Sequence, residues 1–414
     1  MQYAETGKEE RFKPGEIVRL LKVLTLFDLK SKRVLIRVDF NVPIQNGKVA
    51  DDFRVRASLP TIKHCLNEGA SVVLISHLGR PGGQINPAMS LMPVGETLAE
   101  LLEMPIKFSD NCVSSNAKDV SLGLKPGEVH LLENLRFHDD ETKNDKRFSY
   151  QLSKHGGIYI NDAFGAAHRA HSSNVGVVKY FSQKGMGFLI EKELKFLNSV
   201  IRNPKRPLTL ILGGAKIGGK LKLIHQFIQN ADSIIIGGGM AFTFLKAKGH
   251  DVGVSLVDDT MIDTAKSILK EARINKMDMI LPSDFIAVEK PEKPGSIKIM
   301  KLDHIPSMKM GVDVGPASAQ QFSEIIQSSG TIIWNGPMGI FEVPEYSIGT
   351  REIAQAMVKA TNEGVITVVG GGDTASAVKQ FGVHNDMSHV STGGGASLEL
   401  LSGNQLPALF ALEQ

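Results

Sequence analysis

The stretch that most constrains the fold of this chain lies at its middle, from Leu208 to Leu221. An apolar, β-prone run, Leu208–Leu212, ends at two glycines, and a helical pattern begins near Lys220. A strand, a glycine loop and a helix start in this order present backbone N–H groups and the positive end of a helix to an anion. Lys216 and Lys220 add two positive charges to the same loop. The stretch therefore predicts a site for the phosphates of a nucleotide.

The same loop nearly matches the P-loop pattern of nucleoside triphosphatases. Gly214, four further residues and Gly219-Lys220 satisfy its G-x4-G-K part. The next residue is Leu221, where a P-loop needs Ser or Thr to hold Mg²⁺, so the match fails at the position of the metal chemistry. A glycine-rich turn with two solvated lysines is the alternative interpretation of this loop taken alone.

Length and composition narrow the class of protein further. A chain of 414 residues exceeds what one hydrophobic core usually supports, so we expect two domains. The net charge of +3 without a long basic run argues against a nucleic-acid partner. The two cysteines, Cys65 and Cys112, exclude a disulfide framework and fit a reducing cytosol. No apolar stretch approaches the length of a membrane span, so we expect a cytoplasmic protein with no membrane partner.

From Leu24 onward, strands alternate with helices in two blocks, which predicts an α/β fold with two parallel sheets covered on both faces. The strands predicted in the first block are Arg33–Val38, Ser71–Ser76, Ile106–Phe108, Val129–Glu133 and Ile158–Asn161. Those predicted in the second are Leu208–Leu212, Ser233–Ile236, Met279–Leu281, Thr331–Trp334 and Val365–Val369. An amphipathic helix over Phe188–Ile201 is the predicted connector, and residues 1–21 form a polar extension without recognisable chemistry.

In the first block, arginines and histidines follow the predicted strands. They are Arg54, His77, Arg80, Arg136, His168, Arg169 and His171, with Asp39 and Asn41 just beyond the first strand. The guanidinium fork binds carboxylate and phosphate groups through two hydrogen bonds, so such a cluster suits a small, multiply anionic substrate. Any single member could equally be a salt-bridged surface residue.

In the second block, glycines end most of the strands, as in Gly237-Gly-Gly239 and Gly370-Gly-Gly372. Ligands bind beyond the carboxyl ends of parallel strands, so this block predicts a nucleotide-sized cleft. Asp373, placed at the cap of the following helix, is either a helix N-cap or a ligand of Mg²⁺. Glu342 is either a partner of ribose hydroxyls or a surface residue.

Seven longer motifs carry a close family resemblance. They are Arg37-Val-Asp-Phe-Asn-Val-Pro43, Ser76-His-Leu-Gly-Arg-Pro81, Asn161-Asp-Ala-Phe-Gly165 with His168-Arg-Ala-His171, Leu212-Gly-Gly-Ala-Lys216, Trp334-Asn-Gly-Pro337, Gly370-Gly-Gly-Asp-Thr374 and Ser391-Thr-Gly-Gly-Gly-Ala-Ser397. Together they resemble phosphoglycerate kinase, and they occur in that family's order from about residue 22 to the C-terminus.

The resemblance implies reversible, Mg²⁺-dependent transfer of the acyl phosphate of 1,3-bisphosphoglycerate to ADP, by a monomer. It implies two Rossmann-like lobes: a phosphoglycerate lobe at 22–185 with 400–414 crossing back onto it, and a nucleotide lobe at 205–399. A hinge helix at 186–204 would join them.

The resemblance also implies roles for individual residues. The phosphoglycerate site would comprise Asp39, Phe40, Asn41, Arg54, His77, Leu78, Gly79, Arg80, Arg136 and Arg169. The nucleotide site would comprise Gly214, Ala215, Lys220, Gly237, Gly238, Asn335, Pro337, Glu342, Gly371, Gly372, Asp373 and Thr374, with Asp373 serving the metal. The catalytic residues would be Arg54, Lys216, Lys220, Gly372 and Gly395.

One departure from the family pattern lies in the central loop. Gly218-Gly219 stands where the family usually has a small residue and then a polar one, which makes this loop more flexible. A P-loop-type triphosphatase and a non-catalytic binding protein are the alternatives to a phosphotransferase. The joint presence of Arg54, Lys216, Lys220 and Asp373 favours the phosphotransferase.

Overall fold

The computed structural model of the protein describes residues 21–291, 297–302 and 305–414. The predicted extension, residues 1–21, lies outside the described residues except for Leu21. The chain divides into two compact units. One runs as far as Asn198 and also includes Gly403–Gln414, and the other spans Ser199–Ser402.

The first unit is built on a six-stranded parallel sheet with the strand order β5-β6-β4-β1-β7-β8. Its strands are β1 (Arg33–Arg37), β4 (Ser71–Ile75), β5 (Ile106–Ser109), β6 (Val129–Leu132), β7 (Ile158–Asn161) and β8 (Lys184–Met186), and β2 (Ile44–Gln45) pairs with β3 (Lys48–Val49) in a separate hairpin. Its helices are α1 (Phe53–Asn67), α2 (Met92–Leu102), α3 (Ser115–Leu122), α4 (Asp139–Thr142) and α5 (Lys146–Ser153).

The predicted runs Arg33–Val38 and Ser71–Ser76 form β1 and β4, the two central strands of the sheet. All five residues of β4 are buried, as expected for a strand covered on both faces. Alternate residues such as Val34 and Ile36 belong to the main apolar cluster, which also contains Val72, Leu74 and Ile160. The helix α6 (Phe188–Arg202) follows this sheet and contains the boundary between the two units.

The second unit contains another six-stranded parallel sheet, with the strand order β11-β10-β9-β15-β16-β17. Its strands are β9 (Leu208–Leu212), β10 (Ser233–Ile236), β11 (Asp278–Ile280), β15 (Thr331–Asn335), β16 (Ile366–Gly370) and β17 (His389–Val390). Its helices are α7 (Leu221–Ile228), α8 (Met240–Ala247), α9 (Ile262–Ile274), α10 (Pro316–Ser328), α11 (Ile348–Asn362), α12 (Gly372–Gln380) and α13 (Gly394–Leu401). The last helix, α14 (Pro407–Glu413), belongs to the first unit.

A three-stranded antiparallel sheet in the second unit was not predicted. It consists of β12 (Asp284–Val288), β13 (Lys298–Lys301) and β14 (Met310–Val314), with β12 in the middle. The prediction placed one strand at Met279–Leu281, whereas the chain forms β11 and then, after Pro282, turns into β12. The exposed residues of β13 give no apolar pattern, so that strand carries little sequence signal.

The two parallel sheets flanked by helices confirm the predicted α/β class. The central stretch also forms the predicted strand, loop and helix, with a 3₁₀ turn at Gly218–Lys220 before α7. The buried face of α7 consists of Leu223, Ile224, Phe227 and Ile228, and Leu221 is only half-buried. No helix within the described ranges is long and apolar enough to cross a membrane.

Candidate functional site

The loops that follow β1, β4, β6 and β7 bring the predicted anion-binding residues of the first unit together. These strands are parallel, so their carboxyl ends lie at one edge of the sheet. The Asp39 carboxylate lies 3.6 Å from Nη1 of Arg54 and 3.9 Å from Nδ1 of His77. Arg54 also donates to the carbonyl of Asn41 at 2.8 Å, which holds the first turn of α1 against the loop after β1.

Hydrogen bonds between backbone groups and side chains hold the loop after β4 beside the loop after β1. The N–H of Gly79, at φ 63°, donates to Oδ1 of Asn41 at 2.9 Å, and its carbonyl accepts from Nη1 of Arg136 at 2.6 Å. The N–H of Leu78 donates to Oδ1 of Asn134 at 3.1 Å. The buried Phe40 donates its N–H to the Ser76 hydroxyl. These contacts give Phe40, Leu78 and Gly79 a structural role in shaping the cluster.

Like charges are held close together in this cluster. Burial, together with the charges of Arg169 and Arg37, lowers the pKa of Arg136 to about 10. Burial and then the charge of Arg80 lower the pKa of Arg169. His171 has its pKa lowered to about 4 by burial and the neighbouring arginines. The five arginines of this region, Arg37, Arg54, Arg80, Arg136 and Arg169, outnumber the two carboxylates, Asp39 and Glu141, so the cluster suits an anion with more than one charge.

The sequence reasoning missed three residues beneath this cluster: Arg37, Glu141 and Ser173. Arg37 and Glu141 have no exposed surface. Ser173 accepts a hydrogen bond from Nε of Arg37 at 2.8 Å and donates one to Glu141 at 2.6 Å. Arg37 and Ser173 lie 136 residues apart, so no local spacing shows their contact. A buried arginine at the end of a β-strand pattern was the only available signal.

In the second unit, the glycine loops after β9, β10 and β15 are joined by backbone hydrogen bonds. Gly214 donates its N–H to the carbonyl of Pro337 at 2.8 Å, and Gly237 donates to Leu212 at 2.7 Å. Gly238 has φ 62°, and a Cβ there would lie 2.5 Å from the nitrogen of Gly214. Only glycine fits at this position, because the backbone conformation and the close approach both exclude a side chain.

Lys220 lies against these loops with its ammonium directed at backbone carbonyls. Its Nζ donates to the carbonyl of Gly213 and lies 3.4 Å from that of Asn335. Burial lowers the pKa of Lys220 to about 8, and the Asp373 carboxylate opposes that shift. The lysine is therefore held at the ends of β9 and β15, close to the start of α12.

A cavity of about 230 Å³ opens beside these loops. Six of the predicted nucleotide residues line it: Gly214, Ala215, Gly238, Pro337, Glu342 and Asp373. Apolar side chains form much of the remaining wall, including Phe242, Leu256 and Phe341. An apolar slot with polar groups at its rim is typical of a site for a nucleobase and its sugar.

The other predicted residues of this unit lie around the cavity without lining it. Gly237 and Asn335 are buried at the ends of their strands, and Thr374 accepts from the N–H of Gly336 at 2.7 Å. Gly371 and Gly372 begin α12, and Gly395 is exposed in the first turn of α13. Lys216 is exposed on the central loop.

Asp373 does not occupy the cap position that the sequence suggested. The N-cap residue of α12 is Gly371, at φ 97°, and Asp373 lies in the first turn. Asp373 is exposed and lines the cavity. One exposed carboxylate beside a glycine loop and a lysine is compatible with Mg²⁺, which uses few protein ligands besides phosphate oxygens and water. No group of three or more metal-binding side chains occurs among the described residues.

An α/β protein with an arginine cluster in one unit and a lysine-bearing glycine loop in the other has the features of a nucleotide-dependent phosphotransferase. The phosphoglycerate kinase family model matches residues 24–404. The chain belongs to this family, as the motifs indicated, and it is an enzyme of the kinase class.

Individual relatives are similar to this chain over nearly its whole length. A phosphoglycerate kinase of Chloroherpeton thalassium is 46% identical over 382 residues, which cover 92% of this chain and 96% of the relative. One of Synechococcus elongatus is 46% identical, and the match covers 95% of this chain and 98% of the relative. The solved phosphoglycerate kinase structure from Coxiella burnetii has a TM-score of 0.83 at 35% identity, with 95% of this chain and 98% of that one covered. That from Pyrococcus horikoshii has a TM-score of 0.82 at 31% identity, with 94% and 98% covered.

Proposed function

We propose that this chain catalyses the reversible transfer of the acyl phosphate of 1,3-bisphosphoglycerate to ADP, giving 3-phosphoglycerate and ATP, as a step of glycolysis. The observation that carries the proposal is the gathering of Arg54, His77, Arg136 and Arg169 around Asp39 at one sheet edge. A substrate with a carboxylate and a phosphate matches such a site, because arginine binds both groups through paired hydrogen bonds.

In this proposal the first unit binds phosphoglycerate. Phosphoglycerate contacts the residues of the cationic cluster, which are Asp39, Asn41, Arg54, His77, Arg80, Arg136 and Arg169. The donors among them bind its carboxylate and phosphate, and the Asp39 carboxylate accepts from its hydroxyl. Arg54 also reaches the transferring phosphoryl group. It suits this role because it lies at the first turn of α1 and its side chain is 29% exposed.

The second unit then binds ADP or ATP in the cavity beside the glycine loops. The adenine lies between Gly238 and Pro337, and Glu342 accepts from the ribose hydroxyls. Lys220 and the N-terminal turn of α12 bind the phosphates. Lys216 contacts the moving phosphoryl group, which its exposure on the central loop allows.

Asp373 would hold Mg²⁺, directly or through water. When bound, Mg²⁺ would neutralise part of the phosphate charge and orient the phosphate chain. Asp373 lies in the first turn of α12, and its charge acts on Lys220. This position keeps the Asp373 carboxylate beside the proposed phosphate site.

The transfer is in-line and needs no covalent enzyme intermediate. In the ATP-consuming direction the carboxylate of 3-phosphoglycerate is already a competent nucleophile, so no general base is required. Arg54, Lys216 and the helix N-termini after the glycine loops stabilise the charge on the transferring group. Gly372 is the first residue of α12 and Gly395 the second of α13, and both residues are exposed.

We further propose that residues 22–185 with 400–414 and residues 205–399 act as the two functional lobes, with 186–204 as their hinge. Closure about α6 brings the two half-sites together and excludes water from the reactive acyl phosphate. We propose a monomer, which is the state that the family resemblance implies. The two buried, unpaired cysteines, Cys65 and Cys112, support a cytoplasmic location.

The proposal is tested by measuring ADP formation from MgATP with and without 3-phosphoglycerate. We expect ADP to form only when 3-phosphoglycerate is present. Equal ADP formation in its absence would contradict the proposal and favour a triphosphatase.

A further inference from the structure

A buried chain of hydrogen bonds runs beneath the cationic cluster, from Glu141 through Ser173 and Arg37 to His77. The first three residues have no exposed surface, and His77 is 3% exposed. The residues come from α4, from the segment after β7, from β1 and from the loop after β4. The roles proposed for the site do not account for Glu141 or Ser173.

Glu141 fixes Ser173 at two points. The Ser173 hydroxyl donates to Oε1 of Glu141 at 2.6 Å, and its backbone N–H donates to Oε2 at 2.9 Å. A hydroxyl has one proton, so once that proton is given to Glu141 only lone pairs remain for Arg37. Nε of Arg37 donates to that oxygen at 2.8 Å. Glu141, which accepts, and Arg37, which can only donate, therefore hold the Ser173 hydroxyl between them with both hydrogen bonds in a defined direction.

At the other end of the chain, Nη2 of Arg37 lies 3.0 Å from Nδ1 of His77. A guanidinium has no acceptor, so Nδ1 must accept and carries no proton. Burial holds the pKa of His77 well below its usual range, as do the neighbouring arginines, so the ring is neutral. Its one proton is then on Nε2. The charged groups that face the ring are Arg37, Arg54, Arg136, Arg169 and the Asp39 carboxylate.

We propose that Glu141 is a positioning residue for the phosphoglycerate site. Through Ser173 it orients the Arg37 guanidinium, and Arg37 in turn fixes His77 as the Nε2–H tautomer. The imidazole then offers the substrate a neutral hydrogen-bond donor of defined direction. This inference rests on the proposed role of His77 in binding phosphoglycerate.

Two variants break the chain in different ways. Ser173 presents two donors to Glu141, so Glu141→Gln leaves one of them facing an amide NH₂, whichever way the amide is turned. Ser173→Ala keeps the carboxylate but removes the hydroxyl that joins it to Arg37. Asp140→Asn is the matched control, because Asp140 lies beside Glu141 on α4 and is exposed.

The experiment records the ¹⁵N signals of the His77 ring in the labelled full-length protein, together with KM for 3-phosphoglycerate and for ATP. In the wild type we expect a proton on Nε2 and none on Nδ1. In Glu141→Gln and Ser173→Ala we expect a mixture of tautomers. KM for 3-phosphoglycerate should rise about tenfold, the usual effect of one lost hydrogen bond to a charged group, and KM for ATP should not change. Asp140→Asn should match the wild type.

Unchanged His77 signals in both variants would overturn the inference, whatever the kinetics. Altered signals with an unchanged KM for 3-phosphoglycerate would support the positioning chain but remove His77 from substrate binding, which separates the two claims. Circular dichroism establishes that each variant is folded. If Glu141→Gln does not fold, the His77 signals of Ser173→Ala alone test the inference.

Discussion

The buried carboxylate of Asp162 accepts a hydrogen bond from the backbone N–H of Leu189 at 2.9 Å. The same oxygen lies 3.3 Å from the N–H of Ile190, and the Thr61 hydroxyl accepts from the N–H of Phe188. Asp162 directly follows β7, so the first turn of α6 is tied to the end of a strand that borders the cationic cluster. The N-terminal turn of the proposed hinge helix is thus anchored to the substrate-binding unit.

This anchor predicts that Asp162→Ala and Asp162→Asn will behave differently. Alanine removes the acceptor, which should lower the free energy of unfolding by about 1–2 kcal/mol. Asparagine keeps an oxygen for Leu189 and Ile190, and it replaces only Oδ2, which is buried and has no hydrogen-bond partner among the described residues. Urea unfolding of the two variants and the wild type measures the difference. Equal destabilisation by both substitutions would contradict the assignment of Asp162 as an acceptor cap.

The same carboxyl predicts a dependence on pH. Burial raises the pKa of Asp162 from 3.8 to about 7 in the folded protein. A group with a raised folded pKa stabilises the protein at acidic pH, and that contribution is lost as the pH rises through 7. Asp162→Asn cannot ionise, so its stability relative to the wild type should increase between pH 5 and pH 8. Parallel stability curves for the two proteins would be inconsistent with this pKa.

Arg54→Ala should reduce turnover on the order of 10²–10³-fold, because it removes a preorganised charge from the transferring phosphoryl group. The matched control is Arg56→Ala on the same helix, where the guanidinium is exposed and pairs with Asp52. Steady-state turnover with MgATP and 3-phosphoglycerate provides the measurement. Near-normal turnover of Arg54→Ala would remove Arg54 from its assigned role.

Gly219→Ala should stabilise the protein by about 0.4–1 kcal/mol, because a Cβ reduces the freedom of the unfolded chain. In the structure nothing lies within 4 Å of the position that this Cβ would take, and the φ of Gly219 is not in the left-handed region. Gly238→Ala is the contrasting control and should destabilise. Thermal or urea unfolding measures the stability of both variants. A loss of stability in Gly219→Ala would show that the loop does require glycine there.

ADP binding should take up protons near pH 8.5. The pKa of Lys220 is lowered to about 8 in the free protein, so part of the population is uncharged at that pH. Phosphates favour the ammonium, so binding raises this pKa, and affinity for ADP should fall as the pH rises above 8. Titration calorimetry in two buffers of different ionisation enthalpy measures the uptake. Lys220→Met should abolish it and Lys222→Met should not; an absence of uptake in the wild type would contradict the assignment.

The sequence predicted the parts of the fold that local patterns determine. The four apolar residues of β9 and the glycines after them are sufficient to predict a buried strand and its loop. By contrast, β12 and β14 pair across a register shift, and their third partner, β13, is largely exposed. Such strands depend on contacts between distant segments, which composition and periodicity do not reveal.

The residues of the candidate site also fall into those that the sequence could predict and those that it could not. Arg54 and His77 could be predicted because charged residues after strand patterns meet at one sheet edge. Glu141 could not, because its role comes from contacts with Ser173, 32 residues away, and through it with Arg37. The cap of α12 also differed from expectation, since the N-cap is Gly371, at a positive φ, two residues before Asp373.

The most direct test of the account is MgATP-dependent phosphorylation of 3-phosphoglycerate by the wild type, Lys216→Ala and Lys222→Ala. The acyl phosphate formed is detected by a coupled reduction that oxidises NADH. We predict turnover in the wild type and in Lys222→Ala, whose lysine is exposed on α7, and a loss on the order of 10²–10³-fold in Lys216→Ala. A wild-type protein that binds nucleotide but forms no acyl phosphate would contradict the proposed reaction.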